Sequence, residues 1–100
     1  MILAIDFDDT ICNSKDVSPG QKMGNPFVGC RETILKLRRR YKIIVHSVGA
    51  GKPQYIKDWL KYYRIPFDEV TNIKPNADYF IDDKAITFKG DWDEIWDMIT

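Results

Sequence analysis

The sequence predicts an α/β fold, a single Rossmann-like, three-layer domain over residues 1–100 with a parallel sheet, and three observations carry that expectation. Apolar runs at 2–5, 43–45 and 77–81 end in polar or acidic residues, as buried strands do where they emerge at a site. Between these runs apolar residues recur at helical spacing, and strands alternating with helices favour parallel pairing. A chain of 100 residues has room for one such core and too little for two.

Composition narrows the class. With 44% hydrophobic and 13% aromatic residues the chain can build a core, which excludes a disordered segment. At 30% charged residues, and with no apolar run of membrane length, it does not read as a membrane protein. No basic leader or cleavage site opens the sequence, so a cytoplasmic protein without a membrane partner is expected. Net charge is zero, which gives no overall electrostatic argument for nucleic acid. The charge is nevertheless divided. Residues 1–64 hold 12 Lys and Arg against 6 Asp and Glu, while residues 65–100 hold 3 against 9, giving +6 and −6. The basic excess gathers at Arg31, Lys36, Arg38, Arg39, Arg40 and Lys42, around one helix end, where it complements the helix dipole; a polyanion-binding face is the weaker reading. Cys12 and Cys30 have neither the spacing nor the neighbouring His of a zinc set and read as reduced core thiols.

Each element has its own signal. Residues 2–5 are a buried strand that runs into Asp6, Asp8 and Asp9. Residues 11–26, rich in Asn, Ser, Gly and Pro, form a loop or small hairpin beside those acids. Asn25 as N-cap and Pro26 at the first helical position open a helix to about residue 40, with Cys30, Ile34, Leu37 and Tyr41 on its apolar face. A second strand at 42–47, ended by Gly49 and Gly51, completes a right-handed strand, helix, strand unit. Pro53 opens a second helix, buried through Ile56, Trp59, Leu60 and Tyr63 and closed by Ile65 and Pro66. A short strand at 67–71 follows, then one at 77–81 that runs into Asp82 and Asp83, then a fifth at 85–88. Asp91 with Glu94 makes a capping box for a last helix, buried through Trp92, Ile95, Trp96 and Ile99.

Acids at the end of a buried strand lose water and repel one another, a cost that a divalent cation offsets. Asp6-Phe7-Asp8-Asp9-Thr10 resembles the Asp-x-Asp-x-Thr signature of the haloacid dehalogenase superfamily, most of whose members are phosphatases. The resemblance extends along the chain, because Ser47, Lys74 and the pair Asp82-Asp83 follow in the order of that family's remaining motifs. It implies Asp6 as nucleophile, Asp8 as general acid and base, Ser47 and Lys74 as phosphate-binding residues, and Lys74 also as a catalytic charge. It implies Mg²⁺ as cofactor, held by the Asp6 carboxylate, the Asp8 carbonyl and Asp82, with Asp83 acting through water. Thr10 would hold the local turn, and Asp9 has no assigned role.

Each group also has a plain structural alternative. Ser47 can be an ordinary strand-end residue, Lys74 a turn lysine before Pro75, and Asp82-Asp83 a capping pair. His46 adjoins Ser47, so it points to the opposite face and reads as a packed histidine. Some family members carry an Arg shortly after the second-motif Ser; here 48–51 offers none, and Lys52 is the possible replacement. A response-regulator receiver domain also uses early acids, a mid-chain Ser or Thr and a late Lys, but 47–57 lacks the Asp it would phosphorylate. The insertions at 11–26 and 48–73 are too short for a cap domain, so a capless phosphatase is expected. Its substrate would be a phosphate monoester, possibly large, with nucleic acid disfavoured and a monomer slightly preferred over an oligomer. A phosphotransferase, or an idle domain of this fold that binds a partner, are the alternatives.

Overall fold

A computed structural model describes residues 1–47 and 53–100. In chain order the elements are β1 (Ile2–Asp6), β2 (Cys12–Asn13), β3 (Asn25–Pro26), α1 (Cys30–Leu37), β4 (Lys42–His46), α2 (Pro53–Tyr62), β5 (Glu69–Thr71), β6 (Tyr79–Ile81) and α3 (Trp92–Ile99). Four strands form one parallel sheet in the order β5-β4-β1-β6, and β2 pairs antiparallel with β3. Strand β1 is central because its apolar run can bury both faces. The chain leaves it one way to β4 and β5 and later returns to place β6 on its other side.

Side chains alternate along each strand, so the register sorts residues onto two faces. Leu3 and Ile5 pair with Ile43 and Val45, and all four join Ile34 of α1 and Ile56, Trp59 and Leu60 of α2 in one core. Both helices therefore cover the same face. On the other face Ala4 pairs with Ile44 and Phe80, and Asp6 pairs with His46. Edge strand β6 is tied to β1 by a reciprocal clamp: the Ile2 N–H donates to Asp78 Oδ2 at 2.6 Å, and the Asp78 N–H donates to the Ile2 carbonyl at 2.8 Å.

Residues 11–26 do form a small hairpin, and it is anchored to α2. Gly24 is buried where a Cβ would overlap the Asn13 carbonyl. Its own carbonyl accepts from Trp59 Nε1 at 2.9 Å and from Cys12 Sγ at 3.6 Å. The Tyr63 hydroxyl donates to Asn25 Oδ1 at 3.1 Å. Cys12 is buried, Cys30 is half-buried, and both are free thiols.

Three expectations fail. Helix α1 starts at Cys30 rather than Pro26, because Asn25 and Pro26 belong to β3 and the Asn25 side chain bonds Ser18 and Tyr63 instead of capping a helix. Gly29, at φ 87°, precedes the helix in its place. Residues 85–88 form no strand: the sheet ends at β6, and Phe88 packs against Trp92 with ring centroids 4.8 Å apart. The cap of α3 is as expected, with Asp91 accepting from the backbone N–H groups of Asp93 and Glu94 at 2.9 and 3.3 Å. Its burial is not. Trp92, Trp96 and Ile99 are 72%, 70% and 66% exposed, and α3 buries no residue, so the third layer is not built within the described chain.

Candidate active site

The site forms where β1 ends. Beyond Asp6 the Phe7 N–H donates to the His46 carbonyl at 3.0 Å, extending the pairing with β4 by one residue. The Phe7 carbonyl then accepts from the N–H groups of Ile11 and Cys12 at 3.1 and 3.0 Å, which closes a tight turn. Asp9 sits in that turn at φ 59°, a left-handed conformation that Asp tolerates better than most residues. Its carboxylate accepts from the Ser14 N–H at 3.1 Å and the Ser14 hydroxyl at 2.5 Å, and these bonds hold it below the usual carboxylate range. Asp9 thus has a structural role that the sequence left unassigned. The Thr10 hydroxyl, expected to hold the turn, is buried without a partner among the described residues, and the backbone performs that task.

The two early acids diverge. Because β6 lies beside β1, it delivers Asp82 and Asp83 to Asp6, and one carboxylate oxygen of each lies within 4.8 Å of the others. Burial, then the charges of Asp82, Asp8 and Asp83, push the Asp6 carboxyl up to about 6. Asp8 turns to β4 instead, where its Oδ2 accepts from the Ser47 hydroxyl at 2.6 Å. Ser47 is buried and pinned by its N–H, which donates to the Thr71 carbonyl at 3.1 Å.

Lys74 is placed beside Phe80 rather than against Asp6. Its ammonium rests 4.9 Å from the Phe80 ring centroid and forms no ion pair with Asp6. Together with His46, Phe80, Asp82 and Ala85 it lines a cavity of about 300 Å³. Lys52 lies outside the described residues.

His46 is the site residue that sequence reasoning missed. It does diverge from Ser47, yet the register pairs it with Asp6, and its Nδ1 lies 3.6 Å from Asp6 Oδ1. Only 7% exposed, the ring is pushed below its ordinary pKa chiefly by burial. It is therefore neutral at neutral pH, and the contact is neither an ion pair nor short enough for a hydrogen bond. The usable signal was the strand register, since a two-residue alternation fixes which residue of β4 shares a face with Asp6.

The donor set suits a hard cation. Asp6, Asp82 and Asp83 offer oxygen alone, two of the three are exposed, and Mg²⁺ combines a few carboxylates with retained waters. The sheet reversal about β1 places this cluster where ligands gather in open α/β sheets. Compared with protein-family models, with curated proteins and with solved structures, the chain matches none. No helix among the described residues is long and apolar enough to cross a membrane.

Proposed function

We propose that the chain is a Mg²⁺-dependent phosphatase of the haloacid dehalogenase type, with a Rossmann-like core and no cap, that hydrolyses a phosphate monoester through an aspartyl-phosphate on Asp6. The observation that carries this reading is the convergence of Asp6 with Asp82 and Asp83 from two neighbouring strand ends. Asp6, Asp82, the Asp8 carbonyl and, through water, Asp83 would hold Mg²⁺, which would supply the positive charge that an anionic phosphate needs to approach an anionic nucleophile. Asp6 attacks phosphorus in line. Asp8 protonates the leaving oxygen and then takes a proton from the water that opens the acyl phosphate, and Ser47 fixes its carboxylate for both steps. Lys74, in the cavity shared with Asp82, adds a cation for the phosphoryl oxygens. His46 and Phe80 wall the same cavity beside Lys74 and Asp82.

A screen of phosphate esters with and without Mg²⁺ tests this reading. Turnover is expected with the ion and is lost on chelation. Asp6→Asn abolishes it, whereas Asp8→Asn, given a good leaving group, accumulates a transient phosphoenzyme. Full activity in excess chelator, or equal residual turnover in both variants with no trapped acyl phosphate, overturns it. Transfer of the phosphoryl group to an added alcohol in preference to water assigns the same machinery to a phosphotransferase.

A further inference from the structure

Helix α3 and the face beside α1 are complementary surfaces that the chain leaves apart. The helix carries Trp92, Trp96 and Ile99 in the open, and the whole molecule is extended, 45 × 32 × 25 Å. Its radius of gyration is 14.8 Å, against about 13 Å for a compact chain of this length. A groove of about 310 Å³ runs on the helix-bearing face of the sheet between α1 and the β6 edge, lined chiefly by Ile5, Phe27, Cys30, Ile34, Leu37 and Ile81. The helical layer stops at α1, so one more helix laid beside it would cover β6.

We propose that two copies of the chain exchange α3, each helix lying in the α1–β6 groove of the other copy. The proposal is independent of the phosphatase reading. Chemistry matches on both sides of the contact: the apolar stripe of α3 meets an apolar groove, a helix-in-groove mode of recognition. Charge matches as well. Asp93 and Asp97 of α3 come to a helix and its end that carry Lys36, Arg39 and Arg40. Area is adequate: the two Trp side chains, 72% and 70% exposed, bury about 300 Å² more per helix when covered, and with an equal groove surface two symmetric junctions bury about 1,200 Å², the lower end of a stable dimer interface. Exchange of identical elements closes on itself with two-fold symmetry, so the arrangement ends at two copies. The ten residues 82–91 span at most about 35 Å when extended, which is ample for a helix to cross to a neighbour.

Light scattering of the intact chain at about 100 μM tests the exchange. A dimer is expected that loosens as salt rises, because the ion pairs across the contact are screened. A Trp92→Glu, Trp96→Glu variant should be monomeric with unchanged far-ultraviolet circular dichroism, since both residues are exposed within one chain. An Ile99→Cys variant, oxidised mildly with oxidised glutathione, should cross-link through Cys30 and run as a covalent dimer on a non-reducing gel. A monomeric native chain, a dimer that survives both glutamates, or a bridge from Cys30 to the new thiol within one chain would overturn the proposal.

Discussion

Asp6 is under two opposed demands: burial and three neighbouring acids favour its proton, while a metal ligand and a nucleophile must be without one. Its folded pKa of about 6 lies above the ordinary 3.8, so folding favours the protonated form. In the ion-free protein the resulting stabilisation is present below the ordinary value and is lost as the pH rises through about 6. A bound cation reverses the preference. Mg²⁺ should therefore bind more weakly at about pH 5.5 than at about pH 7.5 and release a proton at the lower pH, which titration calorimetry in buffers of different ionisation heat reads directly. Equal affinity at both values with no proton release contradicts a shared site on Asp6. Asp6, Asp8, Ser47, Asp82 and Asp83 were legible because each stands at the end of an apolar run, where the chain itself announces a change from core to solvent. His46 was not, because its contact with Asp6 depends on the offset between two strands, a quantity that no local pattern contains.

Among the elements, the hairpin of β2 and β3 holds the site's turn in place although it supplies none of its acids. Cys12 ends the turn that carries Asp8 and Asp9, and the hairpin is fastened to α2 through the Gly24 carbonyl. Trp59→Phe keeps most of the core volume but removes the donor to that carbonyl, so a loss of about 1–3 kcal/mol in urea unfolding is expected. Gly24→Ala should cost at least as much, since the new methyl meets backbone rather than a flexible side chain. A Gly24→Ala protein as stable as the native chain would show that the hairpin does not close as described. The turn-rich composition of 11–26 made a hairpin legible. It did not show that Asn25 and Pro26 belong to that hairpin, because Asn-Pro before an apolar periodic run is equally good chemistry for a helix start, and only the contacts with Ser18 and Tyr63 decide between them.

For the whole molecule, the parallel sheet and its alternating helices were legible from periodicity, and the arrangement of layers was not. Amphipathicity states that a helix has an apolar side without stating what that side meets. Helix α3 satisfies every local rule, with an Asp cap and a stripe of large residues, and still buries none of its residues fully within its own chain, Ile95 being half-buried. The exposed Trp92, Trp96 and Ile99 weigh against the slight preference for a monomer that the sequence alone suggested. The separation of +6 from −6 is mirrored in space at least in part, since Arg38 meets Asp68 at 3.2 Å and Lys42 meets Glu69 at 3.1 Å across the two halves. Arg38 and Lys42 thus hold β5 to the rest of the sheet, and both pairs bridge the basic and the acidic halves of the chain.

The clamp between Ile2 and Asp78 joins residues 76 positions apart, and this sets the order in which the protein assembles. Pairing of β1 with β4 closes a shorter loop through α1, so it is expected in an early nucleus, with β6 docking later. On that order the acidic cluster is expected to form only after the transition state. Asp78→Ala should accelerate unfolding in a stopped-flow chevron while leaving the folding arm nearly unmoved, a low φ-value at the strand that completes the site. A slowed folding arm would place β6 in the nucleus instead.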